Sequence, residues 1–288
     1  MDTWLRGDGK VPAAVVVVVA AIIAAAIVMW LGDLVALVLH VTTLDMTLNL
    51  GWQNFIETLV LFGALIGVAC LWSLLAKAHV LSVGDNAGKM AGFGFALGFG
   101  GLCLATVYAA IAGTLSSQKA DHDILLFLLG TPMVLYQCGA EEIYFRGWLQ
   151  PLLARHFGPW IGIGVTAVLF AALHLLAGER SPLSLVNIAL AGTLFGLLAW
   201  RTGGIAASVM AHFGWNWAES MWLGLSPNPG VDVWGSILNL DMTGSALWGG
   251  SEEGLNASLA VTFVLLALCV PLALWRRRGA SLKLASET

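Results

Sequence analysis

Gly139-Ala140-Glu141-Glu142-Ile143-Tyr144-Phe145-Arg146-Gly147 closes an apolar run that begins near Ile124. It sets two adjacent carboxylates and an arginine among residues that otherwise suit hydrocarbon. A charged side chain at the centre of a membrane helix costs about 2.5–3.5 kcal/mol on insertion scales, so such groups persist where they have a function. Two later segments offer partners: Phe170 to His174, and His212 to Asn216. The rest of the chain reads as the scaffold that brings these three together.

The composition fixes the class. Of 288 residues, 59% are hydrophobic and 10% charged, and the mean hydropathy is +0.86. That excludes a disordered chain and is far too apolar for an ordinary soluble domain. The net charge of −4 comes without a basic stripe, so nucleic acid is not an expected partner. Cys70, Cys103, Cys138 and Cys269 all fall inside apolar runs without CxxC spacing, and read as small packing residues. The first apolar run, 11–32, is too long for the ~7–15-residue core of a secretory signal, and reads as a retained membrane helix.

A membrane-crossing helix needs about 20 mostly apolar residues. By that rule the chain is all-α, a single integral-membrane domain over 1–288. Its bundle of about eight spans covers 11–32, 53–76, 90–115, 124–147, 160–177, 185–201, 204–223 and 256–275. An even number of spans puts both termini on one side, together with Arg6, Lys10, Lys77, Lys89, Arg155, Arg201, Arg276, Arg277, Arg278 and Lys283. Lys119 and Arg180 fall on the other. The positive-inside rule then assigns both termini to the cytoplasm. Trp30, Trp52, Trp72, Trp148, Trp160, Trp200 and Trp275 lie at expected span ends, as an aromatic belt would. Gly94/Gly98, Gly158/Gly162 and Gly192/Gly196 have the GxxxG spacing that lets helix backbones approach closely in lipid. The segment 224–255, without Lys or Arg, reads as a non-cytoplasmic loop.

There is no HExxH, GxSxG or GxGD, so zincin, serine and aspartyl intramembrane chemistries lack their signatures. What remains is a Glu/His/His/Asn set. Glu142 and Arg146, four apart, share a helix face and can pair. Glu141 points about 100° away and lacks that local partner, which leaves it available as a general base or acid. His174 and His212 could polarise a water, donate to an oxyanion or bind a metal. Asn216 shares a face with His212 and could donate to a tetrahedral intermediate. A divalent metal such as zinc, held by Glu141, His174 and His212, stays open beside the metal-independent reading. Phe170, one turn before His174, reads as packing on the site wall. At ~1.5 Å per residue, Glu141 lies ~10 Å from a helix end at Trp148, whereas His174 lies ~21 Å from Trp160. That mismatch implies a tilted helix or a submerged 150–160 connection.

The segments EEIYFRG, FAALH and HFGWN resemble, in order and spacing, the motifs EExxxR, FxxxH and HxxxN of the type II CAAX prenyl endopeptidases. This broad family is also called CPBP or ABI. The likeness covers roughly 124–223, the family-like catalytic core, with Arg146-Gly147-Trp148-Leu149-Gln150 and Arg201-Thr202-Gly203-Gly204 agreeing beside the motifs. The resemblance implies an eight-helix intramembrane endopeptidase, or metalloprotease as the family is widely labelled, acting on membrane proteins or lipidated peptides in the bilayer. By motif, Glu141 would activate water with His174, His212 and Asn216 would stabilise the oxyanion, and Glu142 and Arg146 would support the site. The bacterial members of the family make a bacterial inner membrane the expected location. Two other readings fit the same residues: a non-catalytic immunity or scaffold protein on this fold, and a proton-coupled transporter, for which paired broken helices and repeat halves are missing.

Overall fold

A computed structural model describes residues 50–75, 81–117, 124–177, 181–228 and 234–275, with isolated positions between 19 and 37. The expected span 11–32 lies outside these residues apart from those isolated positions, and both termini lie outside them. Apolar runs become helices here because a backbone in hydrocarbon must satisfy its own hydrogen bonds. In order the elements are α1 (Leu50–Leu75), α2 (Ala87–Ile111), β1 (Leu115–Ser117), α3 (Ile124–Phe157), α4 (Pro159–Ala177), α5 (Pro182–Thr202), α6 (Ala206–Trp217), β2 (Leu225–Ser226), β3 (Leu240–Met242) and α7 (Leu259–Leu274). Ser181 and Ser258 cap α5 and α7, their side chains accepting from the Ser184 and Val261 backbone N–H groups.

Among the described residues, four helices are long and apolar enough to cross a membrane: Asn54–Ser73, Ala87–Ile111, Ile124–Phe157 and Pro182–Thr202. Two more, Pro159–Leu175 and Leu259–Leu274, are apolar but shorter. Among the described residues these helices account for part of the eight spans read from hydropathy, and some of the apolar runs are divided between a helix and its irregular ends. The expected span 204–223 is α6 followed by a π-helical turn, Ala218–Trp222. The expected span 256–275 opens as a 3₁₀ turn, Gly254–Ala257.

The fourth expected span does not stop at 147. Residues Ile143–Leu149 widen into a π-helical turn, and the helix resumes as Gln150–Phe157. Pro151 opens that second segment, where a missing N–H is tolerated. Gly158, at φ 85°, is then the single residue between α3 and α4, a left-handed position that suits glycine. The connection after Trp148 is thus helical, with 149–153 buried within the protein. Trp148 itself is 2% exposed and stacks on Trp72 with ring centroids 6.5 Å apart, so it does not belong to an aromatic belt; Trp160, at 55% exposed, fits one.

Helix α2 lies directly on α6. A Cβ at Gly94 or Gly98 would overlap the backbone of Ala207 or Ala211, and one at Gly214 would meet the backbone of Phe95 and Phe99. Without a hydrophobic force between helices in lipid, this close approach supplies much of the packing. Gly192 sits against Ala167 and Arg146, and Gly196 against Gln150 and Ile163. Most of the expected glycine spacings are therefore spent inside the bundle.

In the segment expected to be a loop, 224–255, the described residues form a built cap. Its β3 is the centre of a three-stranded sheet, antiparallel to β1 (Leu115 opposite Met242) and parallel to β2 (Leu225 opposite Leu240). Trp234, 3% exposed, lies where a side chain on Gly130 of α3 would have to go, and joins Val134, Cys138, Phe213 and Met221 in one buried cluster. Asn256 donates to Glu219 Oε1 at 3.0 Å, and Asn187 of α5 donates to the Asn256 and Ser258 carbonyls. The cap is thereby tied to α3, α5 and α6.

Candidate active site

The site forms where α3 and α6 run antiparallel. Cys138, Glu142, Arg146 and Gln150 recur every four residues along α3 and are all buried. Each holds a neighbouring helix. Asn216 Nδ2 donates to Cys138 Sγ at 3.6 Å, and His212 Nδ1 lies 3.1 Å from Glu142 Oε1. Two partners four residues apart on α6 thus meet two partners four residues apart on α3. Arg146 Nη1 donates to Glu142 Oε1 at 2.8 Å, and its Nη2 donates to the Gly192 carbonyl at 2.9 Å. Gln150 Nε2 donates to the Gly196 carbonyl at 3.0 Å. The polar stripe of α3 therefore fixes α6 through side chains and α5 through the carbonyls of its two glycines.

Burial of this ion pair is complete, with both side chains at 0% exposure. Two charges taken out of water are held only by good geometry and further hydrogen bonds. Here Phe145, Phe170 and Phe195 also surround the Arg146 guanidinium, which lies 5.4, 4.8 and 5.4 Å from their ring centroids. Phe170 is the hub of the site: it also meets His174 at 4.6 Å and His212 at 5.8 Å, centroid to centroid. Phe195 stacks on His212 at 4.7 Å and 20°. The His212 ring is thus fixed by an aromatic face and a carboxylate together.

His174 is half-buried, and its Nδ1 lies 2.8 Å from the Phe170 carbonyl. A carbonyl only accepts, so Nδ1 carries the proton and Nε2 of the neutral ring is left to accept one. Glu141, also half-buried, makes no hydrogen bond or ion pair to any described residue. It is nonetheless within charge range of His174, His212 and Arg146. The second carboxylate oxygen of Glu142 is buried without a partner among the described residues.

All of the residues singled out by sequence, Glu141, Glu142, Arg146, Phe170, His174, His212 and Asn216, lie on α3, α4 and α6 around this one seam. The bond from Glu142 to His212 was not readable, because it depends on how two helices align. Gln150 and Phe195 were missed as members and Cys138 was read as packing; the four-residue recurrence on α3 was the available signal for Cys138 and Gln150. Glu141, His174 and His212 do not come together as a ligand set. Among the described residues, no group of three His, Cys, Asp or Glu side chains is disposed to hold a metal ion.

Comparison with known families decides the resemblance. Residues 123–218 match the Rce1-like family model of type II CAAX prenyl endopeptidases. The match spans α3 to α6 and takes in every residue of the seam just described. No curated protein and no solved structure matches the chain. The matched segment is similar to a protease family, and the long apolar helices are those of an integral membrane protein.

Proposed function

We propose that this protein is an intramembrane endopeptidase that hydrolyses peptide bonds of membrane-associated or lipid-modified substrates. The observation that carries the reading is the contrast within the site: Glu142 holds His212 and Cys138 holds Asn216, while Glu141 stays uncommitted beside both histidines. Glu141 takes a proton from water as the water oxygen attacks the scissile carbonyl carbon. His174, with Nε2 free to accept, helps orient that water. The carbonyl oxygen gains negative charge, which the Asn216 amide and His212 stabilise. Glu141 then returns its proton to the departing nitrogen as the C–N bond breaks. Glu142 and Arg146 act as positioning residues.

A general acid–base group contributes typically 10²–10⁴-fold to rate. Glu141→Gln, purified in detergent and reconstituted in lipid, is expected to lose turnover by about that factor with unchanged thermal stability. Full activity in that variant would overturn the reading.

A further inference from the structure

Helix α3 carries two parallel stripes through the seam. The inner one, Cys138 and Glu142, is fully buried and engaged with Asn216 and His212. The adjoining one, Gln137 and Glu141, is half-buried on both members, and neither hydrogen-bonds any described residue. Gln137 lies between apolar neighbours deep in a membrane-crossing helix, thirteen residues from its start at Ile124. An amide there offers two donors and an acceptor and satisfies none of them within the described chain. Hydrocarbon offers an amide no hydrogen bonds, so one that its own chain leaves without a partner in a membrane-crossing helix marks a place where another molecule can supply them.

Resting on the peptidase reading, we propose that Gln137 is a substrate-binding residue that hydrogen-bonds the peptide backbone beside the scissile bond. Positions four apart on an α-helix share a face, about 6 Å apart along the axis. An extended peptide advances about 3.3 Å per residue. A substrate lying along α3 with its scissile carbonyl at Glu141 therefore presents to Gln137 the backbone about two residues away. A backbone contact favours an extended chain irrespective of its side chains. It gives a membrane peptidase a way to select unwound segments over helical ones, whose backbone groups are already paired.

The test uses the reconstituted full-length protein and a quenched fluorogenic farnesylated CAAX peptide, with depsipeptide versions in which an ester replaces the amide two residues to either side of the cleaved bond. Gln137→Leu keeps the volume and suits lipid, so its thermal stability is expected to match or exceed wild type. The expected result is a roughly tenfold lower kcat/KM for Gln137→Leu on the parent peptide, the worth of one hydrogen bond. Wild type should lose a similar factor on one ester, and Gln137→Leu should lose nothing further on that same ester. Equal kcat/KM in the two proteins, or a loss in Gln137→Leu that adds to the loss on both esters, overturns the inference while leaving the peptidase intact. If wild type cleaves none of the peptides, the peptidase reading fails and this inference fails with it.

Discussion

Removing Arg146 tests whether the buried polar stripe is built as described. At 2.8 Å the Arg146–Glu142 attraction is about 6 kcal/mol gross with an effective dielectric constant of 20. Desolvation of two fully buried groups offsets most of that, so the pair itself is weakly stabilising at best. The single variant behaves differently. Arg146→Met removes the cation and leaves the Glu142 carboxylate at 0% exposure, with His212 as the remaining partner of one oxygen and the other oxygen unpartnered. It also removes the hydrogen bond to Gly192 and three cation–π contacts. Stranding one member of such a pair costs about 3–5 kcal/mol. The double variant Glu142→Leu with Arg146→Met replaces both charges by apolar groups and is expected to recover most of that stability. It should nevertheless stay inactive, because His212 has lost the carboxylate that orients it. Unfolding in mixed micelles measures the first quantity and peptide cleavage the second. A loss below about 1 kcal/mol for Arg146→Met, or a double variant as unstable as the single, would refute the reasoning.

Other outcomes follow from the same geometry. Asn216→Ala should lower kcat by about 10²–10³, the usual worth of one oxyanion donor, with little change in unfolding; an unchanged kcat would remove Asn216 from the mechanism. Gly98→Val should destabilise the bundle by about 1–3 kcal/mol, since its side chain meets the Ala211 backbone next to His212, whereas Gly100→Val, facing open space, should be neutral. Comparing the two by thermal unfolding separates a contact effect from a loss of glycine as such. Because Glu141, His174 and His212 do not converge as ligands, cleavage is expected to survive dialysis against a chelator. Loss of activity that zinc restores would show that the histidines bind metal.

Hydropathy made the long helices legible, since twenty apolar residues have few other fates in this composition. The spacing Glu142/Arg146 and His212/Asn216 was equally readable, because both members of each pair lie on one helix and the helical period does the placing. What joins α3 to α6 was not, for the register in which Cys138 and Glu142 meet Asn216 and His212 depends on how helices far apart in sequence pack in space. The helix running on past Trp148 was hidden by Pro151, which reads as a stop. It becomes a permitted first-turn proline only after a π-helical turn has already shifted the ladder. The small sheet was invisible for a simpler reason: strands of two or three residues are too short to display a period of two.

The cap built from 224–228 and 234–258 has a mechanical consequence. It grips α3 through Trp234 at Gly130, α6 through Asn256 at Glu219 and α5 through Asn187, all at one end of the bundle. Helices joined in this way behave like the arms of tongs riveted at one end. Any parting of α3 from α6 must swing about that rivet, so the gap is smallest beside Trp234 and widest at the far ends of the arms. A side chain added at Gly130 would loosen the rivet without touching the jaws.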